Sequence, residues 1–149
     1  MLCLVPTPIG NLEDISQRSL RILVEAELIF CEDTRVTKKL LNLLGERNNL
    51  DFSNKEYKSF HSHNEDKILK SLDKETFSKN VVYVSDAGMP CVSDPGATLV
   101  DYCIKNEIPY DVLPGANAIL TAYAMSGFST TTFSFYGFLD HKGVSRASK

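Results

Sequence analysis

The stretch Leu28-Ile29-Phe30-Cys31-Glu32-Asp33-Thr34-Arg35-Val36-Thr37-Lys38-Lys39-Leu40-Leu41-Asn42-Leu43-Leu44-Gly45 contains the fold class in miniature. Its first four residues form an apolar run too short for a helix, which reads as a buried strand. A polar cluster follows, and then a period near 3.6 that points Val36, Leu40, Leu43 and Leu44 inward and Lys38, Lys39 and Asn42 outward. Gly45 is expected to stop this helix.

Working outward, the same alternation recurs. Apolar runs at residues 2–6, 57–60, 81–85 and 110–113 read as further strands. Residues 15–26 form an amphipathic helix with Ile15, Ser19, Ile22, Leu23 and Ala26 on one face, and residues 97–106 another that buries Val100, Cys103 and Ile104. Residues 116–125 are apolar almost all round, so that helix is expected to be covered on more than one side. The polar region 47–55 reads as an exposed loop. Strands that alternate with helices need crossover connections, which predict an α/β fold: an open, mostly parallel five-stranded sheet with helices on both faces. Ser126-Gly127 breaks the last helix. Residues 1–127 are therefore expected to form one α/β domain, and residues 128–149 a linker and the first strand of a second domain, over residues 133–139.

The chain of 149 residues suits one compact unit that buries about 70% of its unfolded surface. Its 43% hydrophobic and 23% charged residues are those of a globular protein, which excludes disordered and fibrous classes. A net charge of -3 offers no global pull toward a polyanion, so any nucleic-acid contact must come from a local patch. Cys3, Cys31, Cys91 and Cys103 form no CxxC pair and read as reduced packing residues. The N-terminus has no basic segment before Pro6, and no apolar run approaches the ~18 residues of a membrane span. These features predict a soluble, cytoplasmic protein without a membrane partner.

The unusual residues fall just after the strands, the edge at which open α/β sheets bind ligands. Thr7-Pro8-Ile9-Gly10-Asn11, Glu32-Asp33-Thr34-Arg35, His61-Ser62-His63-Asn64, Asp86-Ala87-Gly88-Met89-Pro90 and Pro114-Gly115-Ala116-Asn117 follow the five strands in turn. Each cluster by itself could be turn formers and helix caps, but their concentration on one rim argues for one site. The first loop lacks GxGxxG and no GxxxxGK[ST] occurs, which argues against a dinucleotide pyrophosphate site and a triphosphate cradle. His61 and His63 could be half of a metal site, yet no further ligands with zinc-like spacing are visible, so no metal is expected. A non-catalytic α/β binding domain whose Glu32, Asp33 and Asp86 gather a divalent cation is a rival reading.

Taken together, Leu4-Val5-Pro6-Thr7-Pro8-Ile9-Gly10-Asn11-Leu12-Glu13-Asp14-Ile15, Cys31-Glu32-Asp33-Thr34-Arg35, His61-Ser62-His63-Asn64-Glu65, the run from Ser85 to Gly96 and Leu113-Pro114-Gly115-Ala116-Asn117-Ala118 closely resemble the ribosomal RNA small-subunit methyltransferase I family of the tetrapyrrole methylase superfamily. The resemblance runs from Leu2 to about Lys142. It departs at Met89, where threonine is familiar, at Asn117, where serine is usual, and at Asp140, where proline often follows Phe-Leu.

The resemblance implies S-adenosylmethionine-dependent methylation of a cytidine ribose 2′-oxygen in 16S ribosomal RNA of the small subunit. It also implies two domains with the cofactor between them, residues 1–127 being the cofactor-binding one, and a homodimer. About half of such a protein would lie beyond this chain. By the same resemblance, Pro8, Asp86, Ala87, Gly88, Met89, Val92, Ala116 and Asn117 are expected to hold the cofactor. A ribose hydroxyl is a weak nucleophile that a nearby proton acceptor would help, and Asp33, Glu32 and His63 are the candidates. Arg35, Lys38 and Lys39 form a rim-side basic group suited to RNA phosphates, although a solvated helix face would look the same. Within the superfamily, a relative that acts on a tetrapyrrole or another small molecule is the alternative.

Overall fold

A computed structural model describes residues 1–138. Five strands, β1 (Leu2–Leu4), β2 (Leu28–Cys31), β3 (Glu56–Ser59), β4 (Val81–Val84) and β5 (Tyr110–Val112), alternate with five helices, α1 (Gln17–Glu25), α2 (Thr34–Asn48), α3 (Glu65–Ser71), α4 (Ala97–Lys105) and α5 (Ala118–Met125). The strands make one open sheet in the order β3-β2-β4-β1-β5, and every pairing is parallel, as the sequence pattern predicts. The strands β1, β2 and β4 are buried throughout, because helices cover both of their faces, and this is why they read as unbroken apolar runs. One face packs Cys3, Ile29 and Val82 against Leu20 and Leu23 of α1 and Leu41 and Leu44 of α2. The other packs Leu4, Phe30 and Tyr83 against Leu99 and Cys103 of α4, with Phe60 and Phe77.

The helices differ from expectation in phase and length. Helix α2 buries Thr37, Leu41, Leu44 and Gly45, while Val36 and Leu43 remain 40% and 42% exposed. The stripe is therefore rotated from the one the leucines suggest, because a buried threonine begins it. Gly45 does not stop α2; it lies inside it. A Cβ there would meet the Leu50 carbonyl oxygen at 2.8 Å and the Phe52 ring at 3.4 Å, so glycine lets the returning chain pack on the helix. The actual stop is Asn49, left-handed at φ 54°, whose N–H bonds to the Gly45 carbonyl. The region expected as an exposed loop thus buries Phe52. Helix α4 buries Leu99 with Cys103 and leaves Ile104 exposed. Helix α3, and short 3-10 turns at Leu12–Asp14 and Glu75–Ser78, were not expected.

The chain divides into two compact units, Met1–Asn117 and a second that begins at Ala118. In the second, α5 has no buried residue, contrary to the expected cover on several sides, and Met125 is 82% exposed. Apolar composition makes a helix fit for burial but supplies nothing to cover it. Residues 133–138 form no strand, since a strand requires a neighbour to receive its backbone hydrogen bonds and none pairs there. Leu139, the last residue of that expected strand, lies outside the described residues. Within this unit the Tyr123 and Phe133 rings stack at 4.9 Å.

Candidate functional site

The five rim clusters do gather at the carboxyl edge of the sheet, and local side-chain-to-backbone hydrogen bonds explain part of three of them. The Asn11 side chain accepts from the Glu13 amide, Asp33 Oδ1 from the Arg35 amide at 2.8 Å, and Asn64 Oδ1 from the His61 amide at 2.8 Å. Beyond capping, the loops are laced to one another. Thr7 and Gly88 exchange backbone hydrogen bonds of 3.0 and 3.1 Å, which ties the loop after β1 to the loop after β4. Thr7 Oγ1 donates to the Ser85 carbonyl at 3.3 Å, and Ser85 Oγ to the Gly88 carbonyl. The Asp33 amide donates to Asp86 Oδ1 at 3.2 Å and joins the β2 and β4 loops.

Gly88 has φ 86°, and a Cβ there would sit 3.2 Å from Ile9 Cγ2 and 3.8 Å from the Ala116 carbonyl oxygen. Three of the expected cofactor loops therefore meet at this glycine. Pro8 is buried beside it, Ala87 is exposed, and Met89, Val92, Ala116 and Asn117 are half-buried. Cys91 at φ 68° and Ser93 at φ 62° take left-handed backbone in the same loop as Gly96 at φ 121°.

The carboxylates at this rim are not equivalent. Asp33 is claimed by Arg35, whose Nε and Nη2 reach its two oxygens at 3.1 and 2.6 Å. That hydrogen bonding holds the Asp33 carboxyl down at about 2. Glu32 is displaced the other way. Burial first, and then the negative charges of Asp86 and Asp94, hold its carboxyl above the ordinary range. The Asp86 backbone amide and His61 work against that rise. Asp94 is likewise raised by burial, with Ser85 hydrogen bonding opposed to it. Beneath the loop, the Tyr83 hydroxyl is fully buried and has no hydrogen-bond partner among the described residues. Burial and the charges of Glu32 and Asp94 push its ionisation far up.

Of the three candidate proton acceptors, the structure thus leaves Glu32 chemically distinct from Asp33. His63 is exposed and spends its amide on His61 Nδ1, at 3.2 Å. Of the basic group, Arg35 is paired with Asp33, Lys38 Nζ lies 5.0 Å from the Tyr57 ring centroid, and Lys39 has no partner among the described residues. Asp94 and Tyr83 are not singled out from the sequence as site residues, and His61 is weighed there only as half of a metal site. The second Asp-x-Gly turn, at Asp94-Pro95-Gly96, is the signal that could have found the first of them. No group of three or more His, Cys, Asp or Glu among the described residues is placed to hold a metal ion.

Comparison with known proteins adds three findings. Residues 1–147 match the family described as Tetrapyrrole (Corrin/Porphyrin) Methylases. The chain is 51% identical over 148 residues to a Ribosomal RNA small subunit methyltransferase I of Campylobacter fetus, an alignment of 99% of this chain and 55% of that protein. It is 46% identical over 153 residues to the protein of the same name from Helicobacter pylori (strain J99), with 98% and 53% covered. The chain spans about half the length of the curated relatives it matches. Among solved structures, a uroporphyrin III C-methyltransferase from Thermus thermophilus superposes with a TM-score of 0.57 at 19% identity, over 82% of this chain and 51% of that one, a likeness of fold.

Proposed function

Because the chain belongs to the tetrapyrrole methylase family, we propose that it is the cofactor-binding part of an S-adenosylmethionine-dependent methyltransferase acting on small-subunit ribosomal RNA. The relatives that carry that function in their names support the RNA substrate. The observation that carries the chemistry is the set of carboxylates at the rim, where Arg35 neutralises Asp33 but Glu32, Asp86 and Asp94 have no cation paired to them among the described residues. Such a site fits a sulfonium ion, whose positive charge it would favour. The laced loops at Pro8, Gly88 and Ala116 would hold the cofactor, which supplies an electrophilic methyl group.

The target is the ribose 2′-oxygen of a cytidine in 16S RNA. Glu32 takes the proton of that hydroxyl; its raised affinity for a proton suits the task, whereas Asp33 is too weak a base. Stiff loops at Pro6, Pro8, Pro90 and Pro114 orient the reactants, a contribution worth several kcal/mol in such displacements. Arg35, Lys38 and Lys39 meet RNA phosphates. The working enzyme is a cytoplasmic homodimer with a second domain that completes the cleft, so residues 1–127 bind the cofactor and residues 128–149 lead into that domain. No helix among the described residues is long and apolar enough to cross a membrane.

Calorimetry tests the division of the rim. The chain should bind S-adenosylmethionine weakly, and Gly88→Val should abolish that binding, because a β-branched residue resists φ 86° and strikes Ile9. In a version with the relatives' full length, Arg35→Ala should leave cofactor affinity nearly intact and lower the salt slope of RNA binding by about one. Loss of cofactor binding with an unchanged salt slope in Arg35→Ala overturns the division.

A further inference from the structure

The loop that joins β4 to α4 is fastened at both ends and slack between them. Gly88 exchanges backbone hydrogen bonds with Thr7 at 3.0 and 3.1 Å, and the Gly96 carbonyl accepts from the amides of Leu99 and Val100 at 3.0 Å, where α4 begins. Between these points the backbone of residues 90–95 makes a single hydrogen bond among the described residues, from the Val92 amide to the Met89 carbonyl at 3.4 Å. None of the carbonyls of residues 90–95 accepts a backbone hydrogen bond there. Few hydrogen bonds mean that this span can shift at little cost.

Tyr83 lies beneath the span. It is fully buried in β4, in register with Leu4 of β1 and Phe30 of β2. Its ring stands edge to face against Phe60 at 5.8 Å, and Phe60 stands likewise against Phe30 at 6.0 Å. The hydroxyl end of the ring meets the loop. A Cβ on Gly96 would lie 2.6 Å from Tyr83 Cε1, 3.1 Å from Cδ1 and 3.2 Å from Cys91 Sγ, so the ring carbon next to the hydroxyl comes nearest. The hydroxyl itself is buried without a hydrogen-bond partner among the described residues. Burial and the charges of Glu32 and Asp94 keep it protonated, so it is a donor that lacks an acceptor. Packing alone does not call for it, since the two aromatic rings in this row with it are phenylalanines and a buried donor left unpaired costs stability.

We propose that Tyr83 is a latch for this loop: when the rim is filled, residues 91–95 settle toward β4 and one of their free carbonyls accepts the hydrogen bond of the Tyr83 hydroxyl. Tyr83 is then a positioning residue, which touches the loop and not the ligand. It acts through Val92, which the span carries and which is expected to hold the cofactor. The latch presupposes that the rim binds S-adenosylmethionine.

Tyr83→Phe keeps the ring and removes the hydroxyl, and the loop holds its own reporter, because Cys91 is the one cysteine of the four that is not buried. In the 149-residue chain without ligand, the urea midpoint of Tyr83→Phe should lie above that of the wild type, since an unpaired donor has been removed. With S-adenosylmethionine, calorimetry should show Tyr83→Phe binding about 3- to 10-fold more weakly, which is the worth of one hydrogen bond. Labelling of Cys91 by a thiol reagent, located by mass spectrometry, should slow on saturation of the wild type and slow less on saturation of Tyr83→Phe. A lower urea midpoint, or a Tyr83→Phe chain that fails to fold, means that the hydroxyl is already bonded in the free protein and overturns the proposal. Equal affinity, or equal protection of Cys91, in the two chains overturns it too. The same measurements in a version of the relatives' length separate the two readings. No binding there by the wild type removes the cofactor reading and the latch with it, whereas binding that Tyr83→Phe leaves unchanged removes the latch alone.

Discussion

The amino edge of the sheet and its carboxyl edge are built from the same strands and treat their polar groups in opposite ways. At the amino edge the groups are paired across elements. Leu2 N–H bonds to the Pro109 carbonyl, Glu56 N–H to Glu27, Val81 N–H to Met1, and Asn80 Nδ2 to Glu25. Lys55 reaches the carbonyls of Val24 and Ala26, the latter at 2.7 Å, and so satisfies the end of α1. At the carboxyl edge a buried hydroxyl has no partner, carboxylates raise one another, and left-handed backbone recurs at Cys91, Ser93 and Gly96. Unmet charge concentrates at the edge proposed to bind a charged ligand, where a partner can later satisfy it. The amino edge stabilises the fold that holds this arrangement in place.

The sharpest attack on this contrast is Gly96→Val. At φ 121° an L-residue is strained, and its Cβ would lie 2.6 Å from the Tyr83 ring, so unfolding should be easier by about 3 kcal/mol or more. Urea denaturation measures it, and a cost below about 1 kcal/mol would show that the loop is not held against Tyr83. Next in size is Lys55→Met at the amino edge. It removes the donors of two carbonyls and should cost ~1–2 kcal/mol with cofactor affinity unchanged. A loss of affinity of similar size would mean that the two edges are coupled.

The smallest effect has the opposite sign. Glu32 is raised in the folded chain, so its ionised form opposes folding at neutral pH, and that cost disappears as pH falls through the folded value. Glu32→Gln should therefore stabilise the chain at neutral pH by less than about 1 kcal/mol, given its partial exposure, and the gain should vanish in mild acid. A destabilised Glu32→Gln at pH 7 would mean that this carboxylate is structural.

Much of this molecule was legible in the sequence. Short apolar runs between amphipathic ones must bury both faces of a strand, so the alternation alone implies a parallel sheet covered by helices. It also implies that the turn-rich clusters after each strand collect on one rim. What periodicity could not decide was the phase of a helix whose buried stripe contains a threonine. Thr37 counts as polar in any pattern, yet it is buried on the same stripe as Leu41, Leu44 and Gly45. Gly45 read as a stop because its conformational freedom is visible in sequence, while the close return of Leu50 and Phe52 that requires it is not.

At the site, sequence supplied the residue types and left the roles open. Glu32 and Asp33 are neighbours of nearly equal intrinsic acidity. Arg35 reaches one of them, and burial beside Asp86 and Asp94 holds the other, so their proton affinities separate in opposite directions. The Asp33 half of that separation is local, made by Arg35 two residues on, whereas the Glu32 half arises from burial and from charges on a strand loop remote in sequence. Local pattern therefore determined which residues stand on the rim and that Arg35 follows Asp33, and only the tertiary structure decided that Glu32 is buried beside Asp86 and Asp94 and raised by them, because charge and desolvation act through space and not along the chain.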